Sequence, residues 1–368
     1  MPGQNAMFVK VRKEAAESVK KLLMHNNVMD RQRYVKHSQG YVLFPIVDID
    51  SERIKKLLKG ASASIIKGRG RNKEARVSYQ ELLRLKLSSE ELKAMVKGYD
   101  SLGNIVIIEV PAALRSKRRL IAGAILKANK NVETVLEKAG PVSGVYRTRS
   151  VRYVAGKRSF IARYRENNCL MVFDVRKVFF SNRLSFERQR IASLVGDGEN
   201  VVVMFAGVGP FVLEIAKAHR HARVIGIEIN KYACNYMKKN ITINKLDNAK
   251  AVCGDVKKVY RKYIDYADRV VMPLPKDSTE FIKEAVAVAK RSAMIHVYTF
   301  CRIGGAREAA RMLKRKIADC GAKAELVSSR VVRPYSAAEE EIVLDLRIRK
   351  RTAIRAVSGR NHRADAAP

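Results

Sequence analysis

The sequence predicts an α/β protein in which a parallel sheet wound with helices follows two smaller α+β domains. The first observation is a strict alternation of apolar strand-like runs and helical segments from about residue 186, beginning with VVVMF and VLEIAKAH. Such alternation is typical of strand–helix–strand units that build a parallel sheet. The second observation is size, because 368 residues, 47% of them hydrophobic, suffice for two or three domains with cores of their own.

The first sixty residues predict a small α/β domain. MFVKV is a short strand, Ala15, Val19, Leu22 and Leu23 recur at helical spacing, and YVLFPIVDI is a second strand. In residues 61–76, glycine and serine accompany a cluster of positive side chains, and this composition predicts a basic linker. The cluster consists of Lys67, Arg69, Arg71 and Lys73.

Residues 77–184 predict an intermediate α+β domain. Two helical segments, SYQELLRLKL and SEELKAMVKG, precede the strand NIVIIEVP and a basic helix. That helix carries Arg115, Lys117, Arg118 and Arg119. Short strand-like runs then continue to about residue 180.

Residues 185–350 carry the alternating pattern and predict the domain with the parallel sheet. After its last helix, AARMLKRKIADCG, a turn containing proline separates the β segments KAELVSSRVV and EEIVLDLRI. These two segments predict an antiparallel edge of the sheet. Residues 351–368 predict a basic, frayed tail.

The charge of the chain indicates a polyanionic partner. Its 73 lysines and arginines exceed its 36 aspartates and glutamates, which gives a net charge of +37. The positive residues are spread along the chain instead of lying on one amphipathic helix, which favours nucleic acid over a lipid surface. Neither a run of roughly 20 apolar residues nor the apolar core of a signal peptide is present, so we expect a soluble, cytoplasmic protein.

The cysteines and histidines predict neither a disulfide scaffold nor a metal site. The five cysteines lie far apart without a Cys-x-x-Cys pair, and the six histidines have no ligand spacing relative to them.

A glycine-containing turn after the first strand of the alternating region is the sharpest chemical motif. In VVVMFAGVGPF, Gly207 and Gly209 stand between a strand and a helix, where backbone amides can approach a ligand closely. Glu228 ends the next strand about twenty residues later, where an acidic side chain can accept hydrogen bonds from ribose hydroxyls. The third glycine of the dinucleotide fingerprint is replaced by Val212, so S-adenosylmethionine suits the site better than NAD.

A third strand end agrees with this site. Gly254 and Asp255 follow the strand KAVC, at the place where such folds put a side chain near the adenine amino group. The alternative for Asp255 is a surface carboxylate in a strand-to-helix turn, and the alternative for Glu228 is a pair with Lys231. The three strand ends converge on one crevice at the carboxyl edge of the sheet.

These motifs resemble the tRNA guanosine-37 N1-methyltransferase family of archaea and eukaryotes. The resemblance lies in FDVRKVFFSNRLSFERQRIASLV, MFAGVGPF, GIEIN, CGD, RVVMPLPK and MIHVYTF. It continues upstream in SYQELLRLKL, GYDSLGNIVIIEVP, KNVETVLEKAGPVSGVYRTR and RYRENN, and the first domain is similar in MFVKVRKEAAESVKKLL and YVLFPI. The resemblance implies a class I, Rossmann-like methyltransferase domain behind two smaller domains, the first of which contacts the outer corner of tRNA.

The resemblance also implies an activity and site residues. The activity is methyl transfer from S-adenosylmethionine to N1 of guanosine 37, next to the anticodon. Glu187 matches the family glutamate that removes the N1 proton, and Arg147 matches the arginine that holds the target guanine. Arg147, Arg183 and Lys276 are the predicted RNA-binding residues. The predicted cofactor-binding residues are Phe205, Ala206, Gly207, Val208, Gly209, Glu228, Ile229, Gly254, Asp255 and Pro273.

The reaction needs a general base, because N1 of neutral guanine carries a proton and is no nucleophile until that proton leaves, and the resemblance implies Glu187 for this role. We expect partial desolvation to raise the pKa of Glu187, and Arg147 to stabilise negative charge on O6. The alternatives are a helix-start glutamate paired with Arg183 or Arg190, and a phosphate contact for Arg147.

Several positions depart from the family, and two of them bear on the cofactor and the target base. Val203 stands where the family commonly has an acidic residue, which removes one contact near the methionine moiety, and Pro273 stands where related amino-methyltransferases often have asparagine.

Two other functions stay open. One is aminocarboxypropyl transfer in wybutosine synthesis on the same fold, which LPK and HVYTF disfavour. The other is a non-catalytic RNA-binding protein with a decayed methyltransferase fold. The expected partner is tRNA with guanosine at position 37, with no DNA and no membrane, and the expected state is a monomer.

Overall fold

The computed structural model describes residues 4–47, 51–70, 77–84, 86–95, 98–144 and 148–350. The chain forms two compact units. We call residues 1–86 the amino-terminal unit and residues 87–368 the carboxy-terminal unit. The predicted tail, residues 351–368, lies outside the described residues.

The amino-terminal unit is a four-stranded antiparallel sheet with helices on one face. The strand order is β2-β3-β1-β4. Apolar side chains of β1 and β3, among them Val9, Val11 and Phe44, pack against Leu23 and Ile54 of the helices. The elements are β1 (Gln4–Arg12), α1 (Ala16–His25), β2 (Lys36–Ser38), β3 (Tyr41–Ile46), α2 (Ser51–Leu57), β4 (Ala63–Gly70) and α3 (Tyr79–Arg84).

The prediction of a basic linker over residues 61–76 is wrong for β4. This strand pairs antiparallel with β1, from Ala63 opposite Val11 to Gly70 opposite Gln4. Lys67 and Arg69 are exposed and alternate with the less exposed Gly68 and Gly70. Positive side chains are common on edge strands, because they discourage pairing with a further strand. Residues 71–76 lie outside the described residues.

The carboxy-terminal unit begins with a small mixed sheet and a hairpin. The sheet has the order β5-β6-β7-β8, and β9 and β10 form the hairpin. The elements are α4 (Ser89–Ala94), β5 (Asp100–Leu102), β6 (Ile105–Ile108), α5 (Arg118–Ala128), β7 (Thr134–Ser143), β8 (Thr148–Gly156), β9 (Ile161–Glu166) and β10 (Cys169–Asp174).

A seven-stranded sheet forms the rest of the unit, in the order β13-β12-β11-β14-β15-β17-β16. Its first five strands are parallel. β17 runs antiparallel to both β15 and β16, which confirms the predicted antiparallel edge. The elements are α6 (Ser185–Leu194), β11 (Asn200–Met204), α7 (Pro210–Ala218), β12 (Arg223–Glu228), α8 (Lys231–Ile243), β13 (Ala249–Cys253), α9 (Val256–Val259), β14 (Ala267–Met272), α10 (Ile282–Val288), β15 (Ala289–Arg302), α11 (Ala306–Asp319), β16 (Ala322–Pro334) and β17 (Glu339–Lys350).

Alternate residues of β11 face opposite sides of the sheet. Val201 and Val203 belong to one apolar cluster, whereas Val202 and Met204 belong to another. Both faces are therefore covered, as expected for parallel strands flanked by helices.

The predicted domain boundary between residues 184 and 185 does not separate two cores. One apolar cluster includes Leu102 of β5 and Phe173 of β10 together with Leu213 of α7 and Val343 of β17. The hairpin and the small sheet bury their apolar faces against the large sheet's helices, so the described part of residues 87–350 folds as one compact unit.

One disulfide joins two elements next to the glycine turn. Cys234 of α8 is bonded to Cys253 at the end of β13, with sulfur atoms 2.01 Å apart. The wide spacing of the cysteines gave no sign of this pair. No helix among the described residues has the length and apolar character needed to cross a bilayer.

Candidate active site

The glycine turn between β11 and α7 is built for a ligand on one side and for packing on the other. The backbone is left-handed at Phe205, Gly207 and Gly209, with φ of 57°, 58° and 92°. A Cβ at Gly209 would lie 2.7 Å from Cγ of Met237, whereas a Cβ at Gly207 would meet nothing nearer than the Phe179 carbonyl oxygen at 4.0 Å. Gly209 therefore allows α8 to pack closely, and Gly207 leaves open space above the turn.

Glu228 lies at the end of β12 and contacts this turn directly. Its Oε2 accepts a hydrogen bond from the amide of Gly207 at 2.7 Å, and its Oε1 accepts one from the amide of Asn230 at 2.8 Å. Burial raises the pKa of Glu228 above its ordinary value, although the backbone amides of Asn230, Gly207 and Ile229 oppose the shift. The carboxylate is fixed beside the open space at Gly207, where it can accept hydrogen bonds from ribose hydroxyls.

Apolar side chains surround the same strand ends. Ile229 is half-exposed directly after Glu228, and the ring of Phe205 packs edge-on against Phe281 with centroids 4.7 Å apart. Pro273 follows β14 and is partly exposed. These residues suit the flat faces of an adenosine. Ala206 and Val208 are buried, so only their backbones can reach a ligand.

Asp255 has the structural role of a carboxylate in a strand-to-helix turn, which the sequence analysis gives as its alternative. Its Oδ1 accepts a hydrogen bond from the amide of Lys257 at 2.9 Å and thereby caps the start of α9. The residue is only partly exposed at the strand end after Gly254, so one carboxylate oxygen remains for a ligand.

Glu187 lies in the first turn of α6 with only 3% of its surface exposed. Oε2 accepts hydrogen bonds from Nε of Arg190 at 2.9 Å and from the hydroxyl of Tyr298 at 3.2 Å. Oε1 has no hydrogen bond of good geometry among the described residues, although Nε of Arg330 lies 3.2 Å from it. The carboxylate is thus anchored by one oxygen and leaves the other able to accept a proton.

A buried chain of polar groups supports the anchored oxygen. Nη1 of Arg190 donates to Asp345 at 2.7 Å, and Asp345 accepts from Nδ1 of His296 at 2.6 Å. Nη1 of Arg269 donates to Nε2 of His296, and because arginine has no acceptor, Nε2 carries no proton and Nδ1 carries it. Burial lowers the pKa of His296, which keeps the ring neutral against the opposing effect of Asp345.

Asp345 stays charged within this chain. Burial alone would raise the pKa of Asp345, but the hydrogen bond from His296 and the contact with Arg190 outweigh it and lower the pKa to about 2. Arg190 is therefore held between two carboxylates, and its position next to Glu187 is fixed.

Tyr298 links the carboxylate to the glycine turn. Its hydroxyl bonds Glu187, and its ring packs edge-on against Phe211 in the first turn of α7, with centroids 5.9 Å apart. Burial, reinforced by the charge of Glu187, raises the pKa of Tyr298 well above its ordinary value, so the phenol stays a donor. The predicted base and the predicted cofactor turn therefore belong to one site.

The structure gives fewer contacts for the remaining predicted residues. Arg147 lies outside the described residues. Arg183 is exposed, with Nη2 3.4 Å from Asp100, and Lys276 is exposed after β14. Val203 is fully buried in the apolar cluster that also includes Ala206 and Val208 of the glycine turn.

Sequence reasoning named Arg190 as an alternative partner of Glu187, and this contact is present, but it missed the other groups around the carboxylate. Tyr298 and Arg330, which contact Glu187, and Asp345, which contacts Arg190, are 111, 143 and 158 residues away from Glu187 along the chain. The available signal was the presence of polar residues within apolar strands, as in HVYTF and IVLDL, where a buried polar group needs a partner.

Comparison with known proteins gives matches along nearly the whole chain. The family model of the TRM5/TYW2 methyltransferase domain matches residues 162–346. The model of the TYW2 N-terminal domain matches residues 79–159, and that of the tRNA methyltransferase 5 N-terminal domain matches residues 9–56.

Two curated relatives illustrate the similarity. The tRNA (guanine(37)-N(1))-methyltransferase Trm5b of Pyrococcus abyssi is 32% identical over 348 residues, which cover 93% of this chain and 99% of the relative. The tRNA 4-demethylwyosine(37)-methyltransferase Taw21 of Saccharolobus solfataricus is 30% identical over 253 residues, covering 68% of this chain and 94% of the relative.

Three solved structures share the fold. Trm5b from Pyrococcus abyssi aligns with a TM-score of 0.67 at 30% identity, covering 94% of this chain and 99% of that one. A complex of aTrm5 with tRNALeu aligns with a TM-score of 0.65 at 26% identity, covering 93% and 99%. Trm5 of Methanocaldococcus jannaschii with adenosine aligns with a TM-score of 0.60 at 28% identity, covering 94% and 100%.

Proposed function

Because this chain belongs to the TRM5/TYW2 methyltransferase family, we propose that it transfers the methyl group of S-adenosylmethionine to N1 of guanosine 37 in tRNA. The observation that carries the proposal is Glu187, a buried carboxylate with one anchored oxygen and one oxygen able to accept a proton. Methylation of N1 needs such a base, since the nitrogen lone pair becomes available only when the N1 proton leaves.

The strand ends supply a fitting site for the cofactor. Glu228 would accept hydrogen bonds from the ribose hydroxyls, the open space at Gly207 would admit the ligand, and Ile229 would cover the adenine. When bound, S-adenosylmethionine supplies a methyl group on a positively charged sulfur, which departs as a neutral thioether once N1 bonds to the carbon. The similar Trm5 structure is a complex with adenosine, which supports a cofactor that contains adenosine.

Glu187 would act as the base through Oε1. Arg190 and Tyr298 hold Oε2 and so orient the carboxylate before the substrate arrives. Tyr298 also fixes the distance between the base and the glycine turn, because its ring packs on Phe211. Arg147 is retained from the family resemblance as a guanine-binding residue, and Arg183 and Lys276 as RNA contacts on the exposed surface.

A second candidate is methylation of a modified base at the same position. The relative from Saccharolobus solfataricus is named for 4-demethylwyosine(37), and one from Nanoarchaeum equitans, 31% identical over 253 residues, is named for both substrates. Aminocarboxypropyl transfer is disfavoured, because the relative covered almost end to end by this chain is named Trm5b.

Mass spectrometry of tRNA nucleosides tests the proposal. The protein is incubated with S-adenosylmethionine and tRNA bearing guanosine 37, 4-demethylwyosine 37 or adenosine 37, and the digested nucleosides are analysed. N1-methylguanosine from the first tRNA and no methylation of the third is the expected result. An aminocarboxypropyl adduct, or methyl transfer at another nucleoside, would replace the proposal. Size-exclusion chromatography would test the proposed monomer.

The variant Glu187→Gln tests the role of the carboxylate. The amide keeps the shape and an oxygen acceptor but cannot take up the proton, so we expect single-turnover methyl transfer to slow by roughly 100-fold or more. The affinity for S-adenosylhomocysteine, measured by calorimetry, should stay within about twofold. Glu325→Gln removes an exposed carboxylate that faces Arg347 on the same sheet and is the matched control. Equal single-turnover rates for Glu187→Gln and wild type would exclude Glu187 as the base.

A further inference from the structure

We propose that Arg330 covers the reactive oxygen of Glu187 in the free protein and transfers its hydrogen bonds to O6 of the target guanine when tRNA binds. This inference rests on the proposed function and adds a catalytic residue to it. Arg330 lies on β16 and belongs to none of the sequence motifs that carry the family resemblance, although it lies next to Glu187 in space.

The contacts of Arg330 mark it as the replaceable partner of Glu187. Its Nε lies 3.2 Å from Oε1, and its guanidinium lies over the ring of Phe186, 4.6 Å from the centroid. The Arg330 side chain is 43% exposed and Phe186 is 60% exposed, so both lie at the mouth of the site. Arg190, by contrast, is nearly buried and is held by two hydrogen bonds to Asp345.

The position of Arg330 on an irregular edge strand allows its side chain to exchange one hydrogen-bond partner for another. β16 is the last strand in the order of the described sheet, and its pairing with β17 is irregular on both sides of Arg330. The irregularities lie between Leu326 and Ser328 and between Val331 and Arg333. Such irregularities turn side chains out of the regular alternation, and they often occur near active sites.

Electrostatics favours the exchange during the reaction. Nε of Arg330 lies 3.2 Å from Oε1 and covers the oxygen that the N1 proton of guanine must reach. Movement of Arg330 away from Oε1 exposes this acceptor to the substrate. The same movement places a positive charge where negative charge develops on the substrate.

The geometry of guanine connects the two roles. N1–H and O6 are neighbours on one edge of the base, so a guanine that presents N1–H to Oε1 brings O6 close to the guanidinium. As the N1–H bond breaks toward Oε1, the electron pair is shared between N1 and O6 until N1 forms its bond to the methyl carbon. A carbonyl oxygen accepts two hydrogen bonds, so a hydrogen bond from Arg330 leaves O6 able to accept a second one. Adenine presents an amino group at this position, which the guanidinium would repel.

Single-turnover rates as a function of pH test this inference. Wild type, Arg330→Gln, Arg330→Lys and Arg347→Gln are compared with saturating S-adenosylmethionine and guanosine-37 tRNA between about pH 6 and pH 9. Arg347 is the matched control, because it is 45% exposed and pairs with Glu325 across the same two strands. We expect the plateau rate of Arg330→Gln to fall roughly 100-fold. The acidic limb of the profile should stay in place, and tRNA affinity should change less than about threefold.

Three results would overturn the inference. A plateau within threefold of wild type means that Arg330 does not act in the reaction. An acidic limb moved to higher pH with a normal plateau means that Arg330 stays on Glu187 in the complex. A change in tRNA affinity alone means that Arg330 contacts a phosphate.

A substrate change provides a second measurement that does not depend on a full loss of the side chain. With 6-thioguanosine at position 37, the acceptor is weaker, so the rate ratio of wild type to Arg330→Lys should shrink toward one. An unchanged ratio would contradict the contact with O6. If wild type methylates no guanosine 37, the proposed function fails; if wild type is active and Arg330 variants match it, only this inference fails.

Discussion

Two carboxyl groups behind the active site share one arginine. Glu166 accepts two hydrogen bonds from Arg188, at 2.5 and 2.7 Å, while Glu214 lies 3.5 Å from Nε of the same guanidinium. All three side chains are almost completely buried. Burial, together with the hydrogen bond to Glu166, raises the pKa of Glu214 to about 8, so Glu214 holds a proton at neutral pH.

The raised pKa makes the stability of the protein depend on pH in a defined direction. Between about pH 4.5 and pH 8 the folded state holds the Glu214 proton and the unfolded state has lost it, so this group's contribution to stability declines as pH rises through that window. Glu214→Gln mimics the protonated form and removes the decline. We expect the variant and wild type to melt similarly near pH 5, and the variant to melt higher by on the order of 5 °C near pH 9.

Thermal melts at several pH values check this prediction. Glu280→Gln, on an exposed glutamate, is the control and should show no such trend. A melting difference between Glu214→Gln and wild type that is the same at pH 5 and pH 9 would mean that Glu214 is ionised throughout.

At the residue level, the sequence identifies individual candidate residues but not the contacts that they make. Glu228 could be located because a strand end and a glycine turn define its position along the chain. Glu187 needed the family resemblance, because a glutamate in the first turn of a helix is also expected from the helix dipole alone. The contacts of Tyr298 and Arg330 with Glu187 depend on the order of strands in the sheet, which a single sequence does not determine.

At the level of elements, helix α6 is positioned by Arg188, the residue next to the proposed base Glu187. Arg188 follows Glu187 and reaches into the interior, where it bonds Glu166 at the end of β9 and the carbonyl oxygen of Ser181. The RYRENN segment and the helix that carries the base are therefore joined by a buried ion pair. This pair fixes the start of α6, and with it the direction in which Glu187 points.

The variant Arg188→Lys tests whether the positive charge alone is sufficient or whether the two parallel hydrogen bonds to Glu166 are needed. Lysine keeps the positive charge but cannot make the two parallel hydrogen bonds, so we expect a loss of stability on the order of 2–3 kcal/mol. Methyl transfer should slow more than S-adenosylhomocysteine binding weakens, because α6 carries the base and not the cofactor. Denaturant unfolding and single-turnover rates measure the two effects. Arg220→Lys, in an exposed pair with Asp247, is the control, and a similar small effect of both variants would show that the buried geometry is unimportant.

The prediction of helices and strands is correct where the apolar periodicity is strong, and it is wrong where the amino-acid composition is misleading. The strands and helices from β11 to β17 have long apolar runs, and their predicted alternation along the chain and the antiparallel edge are confirmed. β4 was taken for a linker because lysine, arginine and glycine dominate it, yet its backbone pairs fully with β1. The Cys234–Cys253 bond joins residues 19 apart that only the packing of α8 on β13 brings together.

At the level of the whole molecule, positive charge is present on both units. Residues 1–86 contain 19 lysines and arginines against 8 aspartates and glutamates, a net charge of +11, and residues 87–368 carry the remaining +26. A folded tRNA is large enough to use positive surface on more than one domain. The proposed cofactor site is different, because it is built from Glu228, backbone amides and apolar side chains.

This difference predicts opposite responses to salt. Each phosphate contact releases counterions, so the affinity for tRNA should fall steeply with ionic strength, by roughly 100-fold or more between about 50 and 200 mM salt. The affinity for S-adenosylhomocysteine should change less than about twofold over the same range, because no large charge is neutralised on binding. Filter binding and calorimetry measure the two affinities on the same preparation.

Removal of residues 351–368 takes away four arginines and one aspartate, so the truncated chain tests whether the tail contributes. A tRNA affinity that hardly changes with salt would mean that the net charge of +37 is mainly solvated surface and that shape and base contacts dominate recognition.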